Sequence, residues 1–197
     1  LRGVVRPLNE TGKLIHLGVG GLFRRPDREK EQKDRLVTFS SNGVTGLSVP
    51  SVLDIEINNV KHTFQWNLEA LYLSRRFFLQ GEYLNMNVQR AQAACYRPWG
   101  AYIQGGFLIK GNFFNYDEWD ALPLTPKESK SLLLSGRINV TNLNDGPVKG
   151  GMQQDITVGV NYYMNKFLIL KLNGSVVWTK DMEEVKRSFG VLQARLQ

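Results

Sequence analysis

The chain of 197 residues has one cysteine, two histidines and no long apolar run. Cys95 alone can close no internal disulfide and cannot build a cysteine-based metal site. His16 and His62 are too few and too far apart to suggest a metal cluster, and no cofactor is expected. A membrane helix needs roughly 18 to 20 apolar residues in succession, and nothing here approaches that. Helical spans are thereby excluded, but membrane β-barrels are not. Their apolar residues are hidden in alternation, which suits a mean hydropathy of -0.28. Acidic residues are also scarce, 18 Asp and Glu against 25 Lys and Arg, giving a net charge of +7. The excess points to an anionic partner or solute. No nucleic-acid motif, helix or aromatic platform accompanies it, so nucleic acid is not the expected partner.

What the sequence does contain is two-sidedness at a period of two. Across residues 131–197, Leu132, Leu134, Gly136, Ile138 and Val140 alternate with Ser135, Arg137, Asn139 and Thr141. Ile156, Val158, Val160 and Tyr162 likewise oppose Asp155, Thr157, Asn161 and Tyr163. Leu168, Leu170, Leu172, Gly174 and Val176 oppose Lys171, Asn173 and Ser175, and Leu192, Ala194 and Leu196 oppose Gln193, Arg195 and Gln197. Successive side chains of a strand point to opposite faces, so these are strands of a sheet with one apolar and one polar surface. In a sandwich the apolar surface would meet a second sheet; in an outer-membrane barrel it meets lipid. Arg137, Lys171 and Arg195 on the polar side would be costly in a dry core, and Tyr162 and Trp178 near strand ends suit an interfacial girdle. The expected fold is an all-β, antiparallel transmembrane β-barrel.

Earlier segments repeat the pattern. Arg2, Val4 and Arg6 share one face of a short first strand, and a turn at 9–12 leads to a strand over 13–24. Gly18, Gly20 and Gly21 superficially suggest a nucleotide loop, but no helix follows and arginines do; glycine on a barrel wall more often marks twist or bending. Residues 24–35, RRPDREKEQKDR, read as a solvated linker, with a partner-binding arm as the alternative. A short strand at 36–40 runs into a Ser-, Asn- and Gly-rich loop to about residue 60. Strands over 62–73 and 77–87, joined at Ser74, Arg75 and Arg76, form a hairpin, and 99–110 is a further strand. The aromatic, proline-bearing segment 111–130 has enough substance for an ordered plug. Loops are expected at 142–154 and 180–186. In the first, Asn142, Asn144, Asp145 and Gly146 faintly resemble a calcium loop, but the closing glutamate is absent and a turn is the simpler reading. About ten strands result. Short turns at 74–76 and 165–166 mark the periplasmic side, which places 111–130 there too, folded into the lumen or docking a periplasmic partner.

The stretch GRINVTNLNDGPVKGGMQQDITVGVNYYMNKFLILKLNGSVVW, residues 136–178, followed by VLQARLQ, residues 191–197, resembles the C-terminal half of the phosphate-selective porin O and P family. The matching features are Arg137; Leu143, Asn144 and Asp145 with Gly150 and Gly151; Gly159, Asn161, Tyr162, Tyr163 and Asn165; and the closing Arg195, Leu196 and Gln197. RPLNETGKLIHLGV, LQGEY and GAYIQGGFLIKG look like the same family in the same order. The chain departs from the family pattern at Lys110, Gly111 and Asn112, where threonine, glycine and glutamate are usual. It departs again at Leu133, where a glutamate is usual, and in lacking a closing phenylalanine beyond Gln197. The resemblance implies the C-terminal part of a sixteen-stranded barrel that associates as a homotrimer, spans residues 1–197 as one segment, and sits among outer-membrane lipids of a bacterium.

The implied function is a water-filled channel for passive diffusion of small solutes with a preference for anions or phosphate. Candidate pore-lining residues are Arg2, Arg6, Arg24, Lys110, Arg137, Lys171 and Arg195, with Glu69, Glu82 and Asp155 on the same face. Those carboxylates leave a second reading open, in which the charges form a transverse network that shapes the pore. The alternative to a channel is a non-conducting barrel that serves as a scaffold, or docks other outer-membrane proteins. An enzyme would need a nucleophile beside a base, and only Ser40 and Ser41 with His62 offer one, in or beside a loop.

Overall fold

A computed structural model describes residues 1–10, 12–27, 35–44, 53–112, 116–119, 121–123, 126, 129–165 and 167–197. The strands are β1 (Arg2–Glu10), β2 (Lys13–Arg24), β3 (Val37–Ser41), β4 (Leu53–Ile57), β5 (Val60–Ser74), β6 (Phe77–Arg90) and β7 (Trp99–Lys110). They continue with β8 (Tyr116–Asp117), β9 (Leu122–Pro123), β10 (Ser131–Asp145), β11 (Val148–Tyr163), β12 (Ile169–Lys180) and β13 (Lys186–Leu196). Nine of them form one antiparallel sheet in the order β1-β2-β5-β6-β7-β10-β11-β12-β13, a meander in which β3–β4 and β8–β9 are inserted hairpins. The nine strands are 9 to 16 residues long, and a tilted strand crosses a bilayer in about 9 to 11.

The alternation read in the sequence is the alternation of the sheet. Val5, Leu17, Ala70, Gly81, Ile103, Ile138, Ile156 and Val176 are register partners in a row across eight strands. That row lies on the open side: Ile103, Ile138 and Val176 are 48%, 50% and 45% exposed. Aromatic side chains frame it. Trp66, Trp99 and Trp178 lie near one rim, with Tyr83 between the first two at ring separations of 5.4 and 6.0 Å. Tyr72, Phe77 and Phe107 lie near the other. From Trp99 to Phe107 is about 27 Å of strand, or roughly 20 Å of height at a tilt of about 40°, close to the apolar band of an outer-membrane barrel. An exposed apolar belt with aromatic edges is the lipid-facing surface of a β-barrel wall.

Four expectations change in detail. The sheet has nine strands rather than about ten. The short strand expected at 36–40 is there, but it is paired with a second one inside the stretch expected to be loop: Thr38 of β3 lies opposite Glu56 of β4, and Ser40 opposite Asp54. The loop expected at 142–154 is the tip of the β10–β11 hairpin, with only Gly146 and Pro147 between the strands. Its asparagines pin a bulge there: Asn142 Oδ1 accepts the Asn144 N–H at 3.0 Å, and Asn144 Oδ1 accepts that of Gly151 at 3.0 Å. The inner face, finally, is not polar throughout. Leu14, Leu71, Leu73, Leu108, Leu133 and Tyr163 make a buried cluster near the Tyr72 rim, and Ile57, Val60, Val88 and Tyr96 make another near the tryptophan rim. Both clusters are covered from inside. Tyr116 of segment 111–130 packs on the first, and Val37, Phe39 and Ile55 of the β3–β4 hairpin pack on the second.

Candidate functional site: the inner face of the wall

On the first strands the cations are tied down. Arg2 Nε donates to Glu69 Oε1 at 2.7 Å, and Arg2 Nη2 donates to the Ala121 carbonyl at 3.2 Å. Arg6 lies 3.7 Å from Glu118 Oε2 and 5.9 Å from the centre of the Tyr116 ring. His16, 3% exposed, holds the Tyr116 hydroxyl with Nδ1 at 2.6 Å and faces Glu69 Oε1 with Nε2 at 3.2 Å. Burial, the largest influence, pushes the Tyr116 hydroxyl pKa above the usual tyrosine range. The described part of segment 111–130 is thus tied to the inner face through Tyr116, Glu118 and Ala121. It leaves the sheet at Gly111, whose φ of 110° only glycine adopts readily.

Glycines on this face make room for the network. A Cβ on Gly18 would collide with the Glu69 side chain, and one on Gly20 with Asn67. The Gly18, Gly20 and Gly21 run therefore serves neighbouring side chains of the wall, and no nucleotide is needed to explain it.

Across the middle of the face a hydrogen-bonded ladder crosses the strands. Asn67 donates to Glu82 at 2.8 Å, Gln80 to the Tyr102 hydroxyl at 3.1 Å, and Gln104 to Gln80 at 3.0 Å. Arg137 Nη1 donates to Gln104 at 3.4 Å while its guanidinium sits 4.0 Å over the Tyr102 ring. Asp155, only 2% exposed, accepts from both Asn139 and Gln153 at 3.0 Å. Gln153 in turn accepts from Ser41 of the β3–β4 hairpin at 2.7 Å, and Gln193 donates to the Val44 carbonyl at 3.0 Å. The hairpin therefore reaches across the inner face to β11 and β13. At its base, Tyr96 donates to the Leu143 carbonyl at 2.8 Å, and burial raises its pKa well above the ordinary value.

On the last strands the cations stand differently. Lys171 and Arg195 are direct cross-strand partners, and Lys171 Nζ donates to Gln197 Oε1 at 2.8 Å. Among the described residues, neither they nor Arg137 have a carboxylate within ion-pair distance. Arg24 and Lys110 are exposed at opposite rims, paired in register with Thr63 and Leu132, apart from this group. Of the expected charge set, Arg2 with Glu69 is brought together, Glu82 and Asp155 join amide side chains, and Arg137, Lys171 and Arg195 are left without anions. Sequence reasoning missed His16, Tyr116 and the inner apolar clusters. The signal for the last was present in Leu71, Leu73, Leu108 and Leu133, which break the polar alternation at one end of their strands.

Ser41 and His62 do not meet. Ser41 bonds Gln153 on the inner side, whereas the His62 ring lies tilted against the outward Phe23 ring, 5.2 Å between centres. Residues 28–34 and Lys166, parts of the expected linker and of one turn, lie outside the described residues. No individual curated protein matches the chain. The lipid-facing belt, the aromatic edges and the charged inner face are those of an outer-membrane porin; a family model described as phosphate-selective porin O and P matches residues 1–197, and the chain belongs to that family.

Proposed function

We propose that this outer-membrane porin contributes the wall of a water-filled channel through which small solutes diffuse passively, with anions, inorganic phosphate among them, favoured over cations. The observation that carries the preference is the contrast between the first strand and the strands from β10 onward. Arg2 and Arg6 are neutralised by Glu69 and Glu118, whereas Arg137, Lys171 and Arg195 face inward without carboxylates among the described residues. Like charges directly opposite on one face repel, so the Lys171–Arg195 pair leaves a local positive potential that an anion relieves. No chemistry is required of the protein. Fixed charge on a water-filled wall lowers the barrier for one sign of ion.

Nine alternating strands put β1 and β13 in the same direction, and among the described residues the two are not paired. An open edge is not tolerated in hydrocarbon, and antiparallel closure needs an even total. The sixteen strands that the resemblance implies satisfy this, and we take this sheet as one arc of such a barrel.

Planar-bilayer recording on the complete barrel to which these nine strands belong tests the reading. Channels should appear, and in a salt gradient the reversal potential should have the sign of anion preference. In the combined variant Arg137→Gln, Lys171→Gln, Arg195→Gln that potential should move toward zero or cation preference. Absence of channels would favour the scaffold, and an unchanged potential in the variant would remove these three residues from the selectivity.

A further inference from the structure

We propose that the outward side of the tryptophan rim at β12 and β13 is a binding site for the phosphate groups of an outer-leaflet glycolipid. The outward register row at this rim runs from Trp66 through Asn85, Trp99, Asn142 and Met152 to Lys180 and Lys186. It is neutral until its end, where two lysines stand directly opposite each other. Like charges in that position destabilise a strand pair unless an anion lies between or beside them. Next to them is a cavity of ≈ 290 Å³ whose lining includes Met152, Gln154, Trp178, Lys180, Lys186 and Ser188.

Depth identifies the ligand class. Trp178 lies one outward position below Lys180, about 7 Å along the strand. Indoles of barrel girdles sit at headgroup level, apolar edge toward the chains. The lysine pair is therefore placed at the height of lipid phosphates rather than of acyl chains or bulk water. This rim also carries the long connection over residues 25–59, and long loops of outer-membrane barrels are extracellular. The lipid of that leaflet is a phosphorylated glycolipid.

The nearby charges do not fill the site. Lys180 Nζ touches Glu184 at 3.1 Å, an exposed pair of small worth, and Lys180 is what holds the Glu184 pKa below the usual carboxylate range. Asp181 builds the turn, accepting the N–H groups of Glu183 and Val185 at 3.0 and 2.9 Å, and lies 3.6 Å from Arg187. Lys186 has no carboxylate within ion-pair distance among the described residues. Lys149 on β11 and Glu183 are also charged and lie close by.

The inference rests on the outer-membrane placement and not on conduction, so its failure would leave the channel reading untouched. The test uses the full chain in detergent micelles and native mass spectrometry with three probes: bisphosphorylated lipid A, its dephosphorylated counterpart, and phosphatidylglycerol. The protein should retain the bisphosphorylated form roughly ten- to thirty-fold more tightly than the dephosphorylated one, as two lysines near a headgroup supply. The double variant Lys180→Ala, Lys186→Ala should bring the ratio close to one, and Lys186→Arg should keep it. Equal retention of the two lipid A forms by the unaltered protein would overturn the proposal without any variant. Displacement by an equal amount of phosphatidylglycerol, or an unaltered ratio in a correctly folded double variant, would overturn it too.

Discussion

Gly18 shows how a residue with no side chain sets the charge arrangement of a neighbouring strand. Its register partner Glu69 fills the space a Cβ would take, while Arg2 and His16 hold the carboxylate there. Gly18→Ala forces that carboxylate out of place and should cost about 1 to 3 kcal/mol, as overpacking does. Urea unfolding from lipid vesicles measures this, and an unchanged midpoint would show that Glu69 moves freely. Tyr96 gives a pH dependence. Burial raises its pKa above the ordinary 10.0, so the folded state keeps the proton that the unfolded state loses. Its contribution is therefore complete below pH 10 and is lost as the pH climbs from there toward the folded value. Tyr96→Phe leaves the Leu143 carbonyl without its donor and should be less stable at neutral pH by about 1 to 3 kcal/mol. Above pH 10 the gap between the two proteins should narrow; a constant gap would contradict the assignment. At this scale the sequence revealed the facing of Arg137 and Lys171 but not their partners. Pairing depends on which strand lies alongside, and a period of two carries no such information.

Among the elements, the β3–β4 hairpin was the least legible. Leu53, Ile55 and Ile57 alternate with Asp54 and Glu56, yet five residues beside a Ser-rich stretch are a weak signal, and the hairpin is stabilised by contacts with Tyr96, Gln153 and Gln193 far along the chain. The β10–β11 tip was misread for a related reason: Asn142 and Asn144 usually mark a loop, but here their side chains satisfy backbone groups at a bulge and let the strands continue. In segment 111–130 the aromatic content pointed to an insert with contacts of its own, and Tyr116 makes such contacts with His16 and the apolar cluster beside it. Since β3–β4 lies on the inner face, replacing residues 37–57 by a short Gly-Ser linker should raise single-channel conductance. Phe39→Ala, which removes the half-buried ring against Tyr96, should instead destabilise the fold, by less than the roughly 3 to 5 kcal/mol of a fully buried phenylalanine. Unchanged conductance after the replacement would mean that the hairpin does not narrow the path.

For the molecule as a whole, alternation was enough to read the wall, because both surfaces of a barrel strand are specified by opposite solvents. A soluble sandwich would have buried Ile138, Val158 and Leu170; here they are among the exposed apolar side chains of a continuous belt. The inner clusters escaped because a lumen is not uniformly wet. Where a segment folds inward, leucine takes positions on that face, as Leu133 does in the cluster on which Tyr116 packs. The most direct test is a cysteine scan in a Cys95→Ser background, with the protein folded in lipid vesicles and treated with a water-soluble maleimide. Ile138→Cys, Val158→Cys and Leu170→Cys should stay unlabelled while Arg137→Cys, Thr157→Cys and Lys171→Cys react. Labelling that reverses this order, or does not alternate at all, would contradict a wall with lipid on one side and water on the other.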